Sequence, residues 1–232
     1  MTEPQPDRAL NFRRPLPDLY RSGDLDRLSE RGRGELLTLG VTRMIDLRNR
    51  VEREIDPPPF LGRTEYLNLP LLPYRNRALN AATAEARSNA DHYRASLDYA
   101  ANQIMTVLGA ILDAPPGPVL VHCHAGKDRT RLIVALCLEL SGVPPERIAD
   151  DYAASEPELA TLYEAARARR TPEAWSKLEP FVAPRPEDVL AALAHLDTNW
   201  GGVGPYLTTH GFSSNEQAAL AARLLPPPLS EF

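Results

Sequence analysis

Residues 118–130, PVLVHCHAGKDRT, set the strictest limit on what this chain can fold into. Two prolines and a glycine at 115–117 turn the chain just ahead of them. Val119, Leu120 and Val121 then form a short apolar run, the pattern of a strand buried on both faces of a parallel sheet. After a polar segment, residues 130–140 have helical length and carry charge only at Arg131 and Glu139. A helix apolar on nearly every side belongs at the centre of a domain. A buried strand, a tight loop and a central helix in succession imply an α/β fold. Ligands in such folds sit beyond the carboxyl ends of the strands.

The flanking segments fit that frame. Residues 24–40 have helical spacing with a glycine stop, and they offer Leu25, Leu28, Leu36, Leu37 and Leu39 for burial. Residues 41–47, VTRMIDL, read as a strand, and 64–69 as a second, shorter one. Pro57, Pro58 and Pro59 force a break between them. Residues 70–80 read as a loop and the Ala-rich stretch 81–114 as two helices. Helical patterns then cover 145–155, 158–170, 186–199 and 213–225, and Ser213 with Glu216 has the spacing of a capping box. The whole predicts a central, mostly parallel sheet flanked by helices up to about residue 142. Residues 143–225 form a helical part of the same single domain, which starts at residue 19. Residues 1–18 are expected to be an N-terminal extension and 226–232 a tail. A chain of 232 residues suits one such domain better than two.

Composition narrows the function classes. A formal charge of −5, from 26 basic and 31 acidic side chains, argues against nucleic acid as a partner, since that usually needs a basic face. Arg167, Arg169 and Arg170 are the densest basic cluster. They close an Ala-rich helix and read as a solvated helix end. No apolar run reaches the roughly 18 residues of a membrane span. The opening residues lack the apolar core of a signal peptide. Cytoplasmic location is the default expectation, although a non-classical export route would leave no such mark. Cys123 and Cys137 both lie in apolar segments, and no disulfide framework is indicated.

The polar segment inside 118–130 carries the chemistry. Five residues separate Cys123 from Arg129, and Thr130 follows. A loop of that length can wrap one phosphate with its successive N–H groups turned inward. The helix that follows points its positive end at the same place. Gly126 permits backbone geometry that a side chain would obstruct. Phosphate binding is thus expected at His124, Ala125, Gly126, Lys127, Asp128 and Arg129. Cys123, in a field of N–H dipoles beside a guanidinium, is the expected nucleophile, held as a thiolate. Arg129 presents a planar fork for two phosphate oxygens. Thr130 can donate its hydroxyl to the sulfur as it leaves a phosphocysteine. Lys127 adds charge at the loop rim, and His122 is expected to orient the loop through a ring hydrogen bond. The plainer alternative is a buried structural cysteine. A zinc site on His122, Cys123 and His124 fits poorly, because three consecutive residues do not converge on a tetrahedral ion. No metal or cofactor is expected, and the loop does not match the nucleotide-binding pattern GxxxxGK[ST].

HCHAGKDRT resembles the HCxxGKDRT loop of the atypical bacterial and fungal tyrosine phosphatases, the mycobacterial protein tyrosine phosphatase B type among them. The likeness extends to Tyr20-Arg21-Ser22-Gly23, to GVTRMIDLR at 40–48, to Asp151-Tyr152, and to 206–211 with the last helix. It covers most of residues 19–225. The resemblance implies a phosphatase-type fold without metal, and a phosphoprotein or phosphoinositide as substrate. Phosphotyrosine is its expected ester, with phosphoserine or phosphothreonine in some members. A loop lysine accompanies the more highly charged substrates. Lipid phosphatases often carry a second lysine after the cysteine, where this chain has His124. Arg131 stands where the family usually has glycine, and is expected either to crowd the helix start or to reach the substrate.

Departure of a phenolate or alkoxide needs a proton, and a positioned acid is typically worth ~10²–10⁴-fold. Residues 70–80, where some relatives carry an aspartate, contain no acidic residue. Asp128, inside the loop, is the first candidate, with bracing of the loop as its alternative role. Lys127 and Arg129 favour its ionised form, whereas a bound phosphate and a thiolate favour the protonated one. Asp46, Asp56 and Asp91 are weaker alternatives. Asp46, Arg48 and Arg21 are expected to brace the loop, and Tyr152 to pack. Residues 79–93 are expected to be a surface helix, with a lid as the alternative. Two rival functions remain open: a non-catalytic phosphate-binding module, and another thiol enzyme such as a sulfur transferase or arsenate reductase. The first of those thiol enzymes has no need of Arg129. The second needs a resolving thiol, and Cys137 lies roughly 20 Å along the helix at 1.5 Å per residue.

Overall fold

In the computed structural model, which describes residues 5–73 and 75–225, five short strands form one sheet. They are β1 (Arg13–Leu16), β2 (Leu19–Ser22), β3 (Arg43–Asp46), β4 (Tyr66–Asn68) and β5 (Val119–His122). Their order is β1-β2-β5-β3-β4, with β1 antiparallel to β2 and every other pair parallel. The sheet is therefore mostly parallel, and β5 lies at its centre. Ser22, His122 and Asp46 stand side by side in register at the carboxyl end of three adjacent strands.

Side chains alternate across the sheet, as a period of two requires. Leu19, Ile45, Val119 and Val121 join the larger core. Tyr20, Met44 and Leu120 face the smaller one. That smaller core is closed by α1 (Glu30–Thr38) and Phe60. On the other face stand α4 (Asn89–Tyr99), α5 (Ala101–Leu112) and α6 (Asp128–Leu140). Outside them pack α7 (Pro145–Ala153), α10 (Pro186–Trp200), α11 (Val203–Thr209) and α12 (Ser214–Leu224). In α6 every residue from Thr130 to Leu138 is buried. Each large apolar side chain among them contributes about 1.5–3 kcal/mol. The helix is the pillar that fixes the start of the loop before it. Among the described residues no helix is long and apolar enough to cross a membrane.

Several elements depart from the sequence reading, each for a local reason. The stretch 24–40 is not one helix but a 3-10 turn, Leu25–Arg27, followed by α1. Asp24 caps the first through the Asp26 N–H and Ser29 caps the second through the Gly32 N–H, so two starts replace one. The Ala-rich stretch contains three helices. Asn76 caps α3 (Arg77–Glu85), inside the segment read as a loop, and Ser88 caps α4. α2 (Arg50–Ile55) begins at a capping box of Asn49 and Glu52 that the reading passed over. So were α9 (Pro172–Leu178) and α11. The strand β1 lies inside the 1–18 stretch set apart as an extension, and it forms an edge of the sheet. Two arginines and a proline in four residues hide a strand, yet they are the residues an edge tolerates. The expected tail at 226–232 lies outside the described residues.

Candidate active site

Residues 123–127 link the end of β5 to the start of α6. Three successive carbonyls of this loop point outward, and each meets a donor from the N-terminal part of the chain. The Asp24 N–H reaches His124 O at 2.8 Å, Asn11 Nδ2 reaches Ala125 O at 3.0 Å, and Arg21 Nη2 reaches Gly126 O at 2.5 Å. In a trans peptide the carbonyl and the next N–H point in opposite directions. The N–H groups of Ala125, Gly126 and Lys127 are thereby turned inward, as an anion nest requires. Gly126 has a φ of +66°, and a Cβ there would lie 2.5 Å from the Ser22 carbonyl carbon and oxygen. Only glycine lets the loop press this closely on β2.

Cys123 is buried at the floor of this loop, 2% exposed. The Arg129 guanidinium is gripped by Glu52, with Nη1 to Oε2 at 2.7 Å and Nη2 to Oε1 at 2.6 Å. Burial alone would weaken the charge on Arg129, but the Cys123 sulfur and the Glu52 carboxylate outweigh it and hold the guanidinium firmly protonated. Glu52 engages one hydrogen on each terminal nitrogen. Nη1 also donates to Leu47 O at 3.5 Å, so of the five guanidinium hydrogens two remain to meet a ligand. Sequence reasoning missed Glu52. Its signal was the Asn49-x-x-Glu52 spacing of the capping box, since Glu52 Oε2 also accepts from the Asn49 N–H.

The remaining loop residues divide into those near the cavity and those turned away. Asp128 and His124 line the cavity over Cys123, together with Ala125 and Arg129. Asp128 Oδ1 accepts from Tyr93 Oη at 2.9 Å and from Lys127 Nζ at 2.7 Å. Lys127 is not at the rim. Its side chain is buried and binds Phe181 O at 2.9 Å, which ties the loop to the segment after α9. His122 makes no ring hydrogen bond among the described residues, contrary to expectation. Burial pushes its pKa down against the pull of Asp46, whose carboxylate stands 3.9 Å away, so the ring is neutral at pH 7. Thr130 Oγ1 is buried and likewise has no hydrogen-bond partner among the described residues.

Two buried ion-pair groups surround the loop. Arg48 binds Asp46 at 2.9 Å and also Asp24, while Tyr66 Oη donates to Asp46 at 2.8 Å. Arg21 joins Asp151, which also takes Arg13 at 2.7 Å. Burial would raise the Asp151 carboxyl, but these guanidiniums hold it down at about 2. Arg131 neither crowds the helix start nor reaches the cavity. It is buried with its guanidinium 3.7 Å over the Tyr152 ring and donates to Ile148 O at 3.2 Å, and so fastens α6 to α7. Tyr152 also shares a 2.7 Å hydrogen bond with Tyr93, one step from Asp128.

The cover over Cys123 comes from α8 (Ser155–Ala168), not from 79–93. Leu162, Tyr163, Ala166, Arg170 and Leu178 wall a cavity of about 270 Å³ above the sulfur. Cys137 is a free, fully buried thiol, pushed up to about 12 by burial, and is inert. Asp56 and Asp91 do not line this cavity. Asp24, Asp56 and His124 could gather around a cation, their ligand atoms within 4.8 Å of one another. The Asp24 carboxylate is already committed to Arg48, so the cluster works as a charge network.

Known proteins are similar to this chain over most of its length. A family model described as the tyrosine phosphatase family matches residues 17–226. A tyrosine-protein phosphatase of Nostoc commune is 33% identical over 224 residues, covering 90% of this chain and 75% of that protein. The triple specificity protein phosphatase PtpB of Mycobacterium tuberculosis is 29% identical over 249 residues, covering 84% of this chain and 86% of that one.

Proposed function

The chain belongs to the tyrosine phosphatase family, and on that premise we propose that it hydrolyses phosphotyrosine through a phosphocysteine intermediate on Cys123. It is a protein-tyrosine-phosphatase-like hydrolase. The observation that carries the finer reading is the set of three loop carbonyls held outward at His124, Ala125 and Gly126. They aim the matching N–H groups at the space above Cys123, where Arg129 adds its fork.

The reaction proceeds in two displacements. The Cys123 thiolate attacks phosphorus in line. The S–P bond forms as the bond to the tyrosyl oxygen breaks, and that oxygen takes a proton from the Asp128 carboxyl. Water then attacks the phosphocysteine, and the Asp128 carboxylate takes the water proton. The S–P bond breaks, its electron pair returns to sulfur, and inorganic phosphate leaves. The Thr130 hydroxyl, free of other protein partners among the described residues, donates to the returning thiolate. Inward N–H groups and the two unshared hydrogens of Arg129 hold the equatorial oxygens throughout. Leu162, Tyr163 and Leu178 line the walls that an aromatic leaving group would meet.

Phosphoserine and phosphothreonine are candidate further substrates, a breadth to which the name of the mycobacterial relative lends support, and phosphoinositides are a further candidate class. Phosphate release from an aryl phosphate tests the core reading. Cys123→Ser should abolish it. If the substituted protein turns over as fast as the parent, the thiolate mechanism is wrong. Tight phosphopeptide binding without turnover by the parent would instead mark a binding module.

A further inference from the structure

A second and larger cavity, about 810 Å³, opens beside the one over Cys123. The two share His124, Leu162, Ala166 and Arg170, so they form one continuous cleft along α8. Arg169 and Arg170 line one wall of the larger part, and Arg27, from the 3-10 turn after Asp24, lines it as well. Glu158 is the carboxylate among the lining residues, which leaves an excess of two positive charges with histidine neutral. Among the described residues neither Arg27 nor Arg169 is committed to an ion pair. The basic cluster that reads in the sequence as a plain helix end is thus split. Arg167 stacks over Trp175 at 5.7 Å, while its two neighbours turn to the cleft.

We propose that this cleft is a second-phosphate subsite, and that the preferred substrate is a peptide carrying another phosphorylated residue close to the scissile phosphotyrosine. The inference rests on the phosphatase reading above and extends it to substrate class. A protein-bound phosphate carries about −1.5 to −2 charges at pH 7, which matches the excess of the cleft. Unpaired guanidinium forks are the groups best shaped to receive it. The apolar residues Leu10, Leu162 and Ala165 suit peptide side chains between the two phosphates, and the volume accommodates several of them.

The test compares phosphotyrosine peptides with and without a second phosphothreonine or phosphotyrosine at neighbouring positions, using the full chain. The doubly phosphorylated peptides should show a kcat/KM about five- to tenfold higher at low salt, carried by KM, with the gap closing at high salt. Arg27→Ala with Arg169→Ala should erase the gap and leave turnover of para-nitrophenyl phosphate unchanged. Glu158→Gln should widen it. If para-nitrophenyl phosphate is hydrolysed but the parent shows no preference, or the paired variant keeps it, the subsite is refuted while the phosphatase stands. If no substrate is turned over, the catalytic reading fails, and peptide binding to the Cys123→Ser protein then decides the cleft by itself. A stronger, arginine-dependent preference for vesicles containing phosphoinositides would overturn the peptide assignment in favour of a lipid headgroup.

Discussion

Glu52 holds Arg129 by both terminal nitrogens, across 77 residues of sequence, while its own carboxylate completes the N-cap of α2. One side chain thereby starts a helix and aims the guanidinium proposed to bind phosphate. The helix is short and exposes Val51 and Ile55, so it contributes little to the core. Its placement makes sense as a mount for Glu52.

Glu52→Gln should therefore lower kcat by about 10- to 100-fold, on the scale of misplacing a reacting group by ~1 Å. Asn49→Ala, which removes only the other half of the capping box, should cost about 1 kcal/mol of stability and a smaller part of kcat. Steady-state kinetics on an aryl phosphate with a melting curve for each variant separates the two effects. Equal losses in both would show that Glu52 matters only for α2.

Gly126→Ala should be far more damaging than its size suggests. The added carbon would press on the Ser22–Gly23 peptide at 2.5–2.6 Å in a backbone conformation that L residues rarely adopt. A destabilisation of at least about 2 kcal/mol is expected. Activity should fall further than stability, because the nest loses its shape. Unchanged binding of inorganic phosphate by the variant would contradict the nest.

Asp128→Asn separates the acid role from the bracing role. As an acid, Asp128 matters in proportion to how poor the leaving group is. The variant should lose ~10²–10³-fold on phosphotyrosine and much less on para-nitrophenyl phosphate, whose phenolate leaves unaided. Equal losses on both substrates would assign Asp128 to bracing alone. Tyr93→Phe removes one of its hydrogen-bond donors and should give a milder version of the same pattern.

Asp151 sets a pH limit on stability. Its folded pKa of about 2 lies below its ordinary value of 3.8, the depressed case. The stabilisation is full above about 3.8 and disappears as the pH falls towards about 2, a difference of roughly 2 kcal/mol. Denaturation of the parent and Asp151→Asn across pH should show a gap at pH 6 that narrows below pH 4. A gap independent of pH would rule out the carboxylate as its source.

Glu139 acts in the opposite sense. Burial, with Asp197 nearby, raises its carboxyl to about 7. Stability linked to it is present at low pH and is lost as pH rises from the ordinary carboxyl range through about 7. Glu139→Gln should be more stable than the parent at pH 8 by about 1–2 kcal/mol, allowing for solvent screening, and nearly equal at pH 5. Melting temperatures at the two pH values check this.

What could be read from the sequence was what lies close together in it. Cys123, Gly126, Arg129 and Thr130 fall within eight consecutive positions, and the apolar run before them and the apolar helix after them fix the central strand and its neighbour. Glu52, Asn11 and Tyr163 meet that loop from far along the chain, and nothing in their local pattern says so. The edge strand β1 was hidden by Arg13, Arg14 and Pro15. Lys127 was misjudged for a related reason. A lysine beside a phosphate loop suggests a rim charge, and only the three-dimensional packing shows Phe181 O and Asp128 drawing it inward.

The donors that clasp the loop from outside come from residues 11 to 24, a region that supplies neither the nucleophile nor the fork. The chain's leading segment is thus the mould in which the catalytic turn is cast. A nick or short deletion ahead of Asn11 should leave the enzyme competent. One that removes Asn11 through Asp24 takes β1 and β2 from the sheet as well as the clasp, and should cost both the fold and the activity.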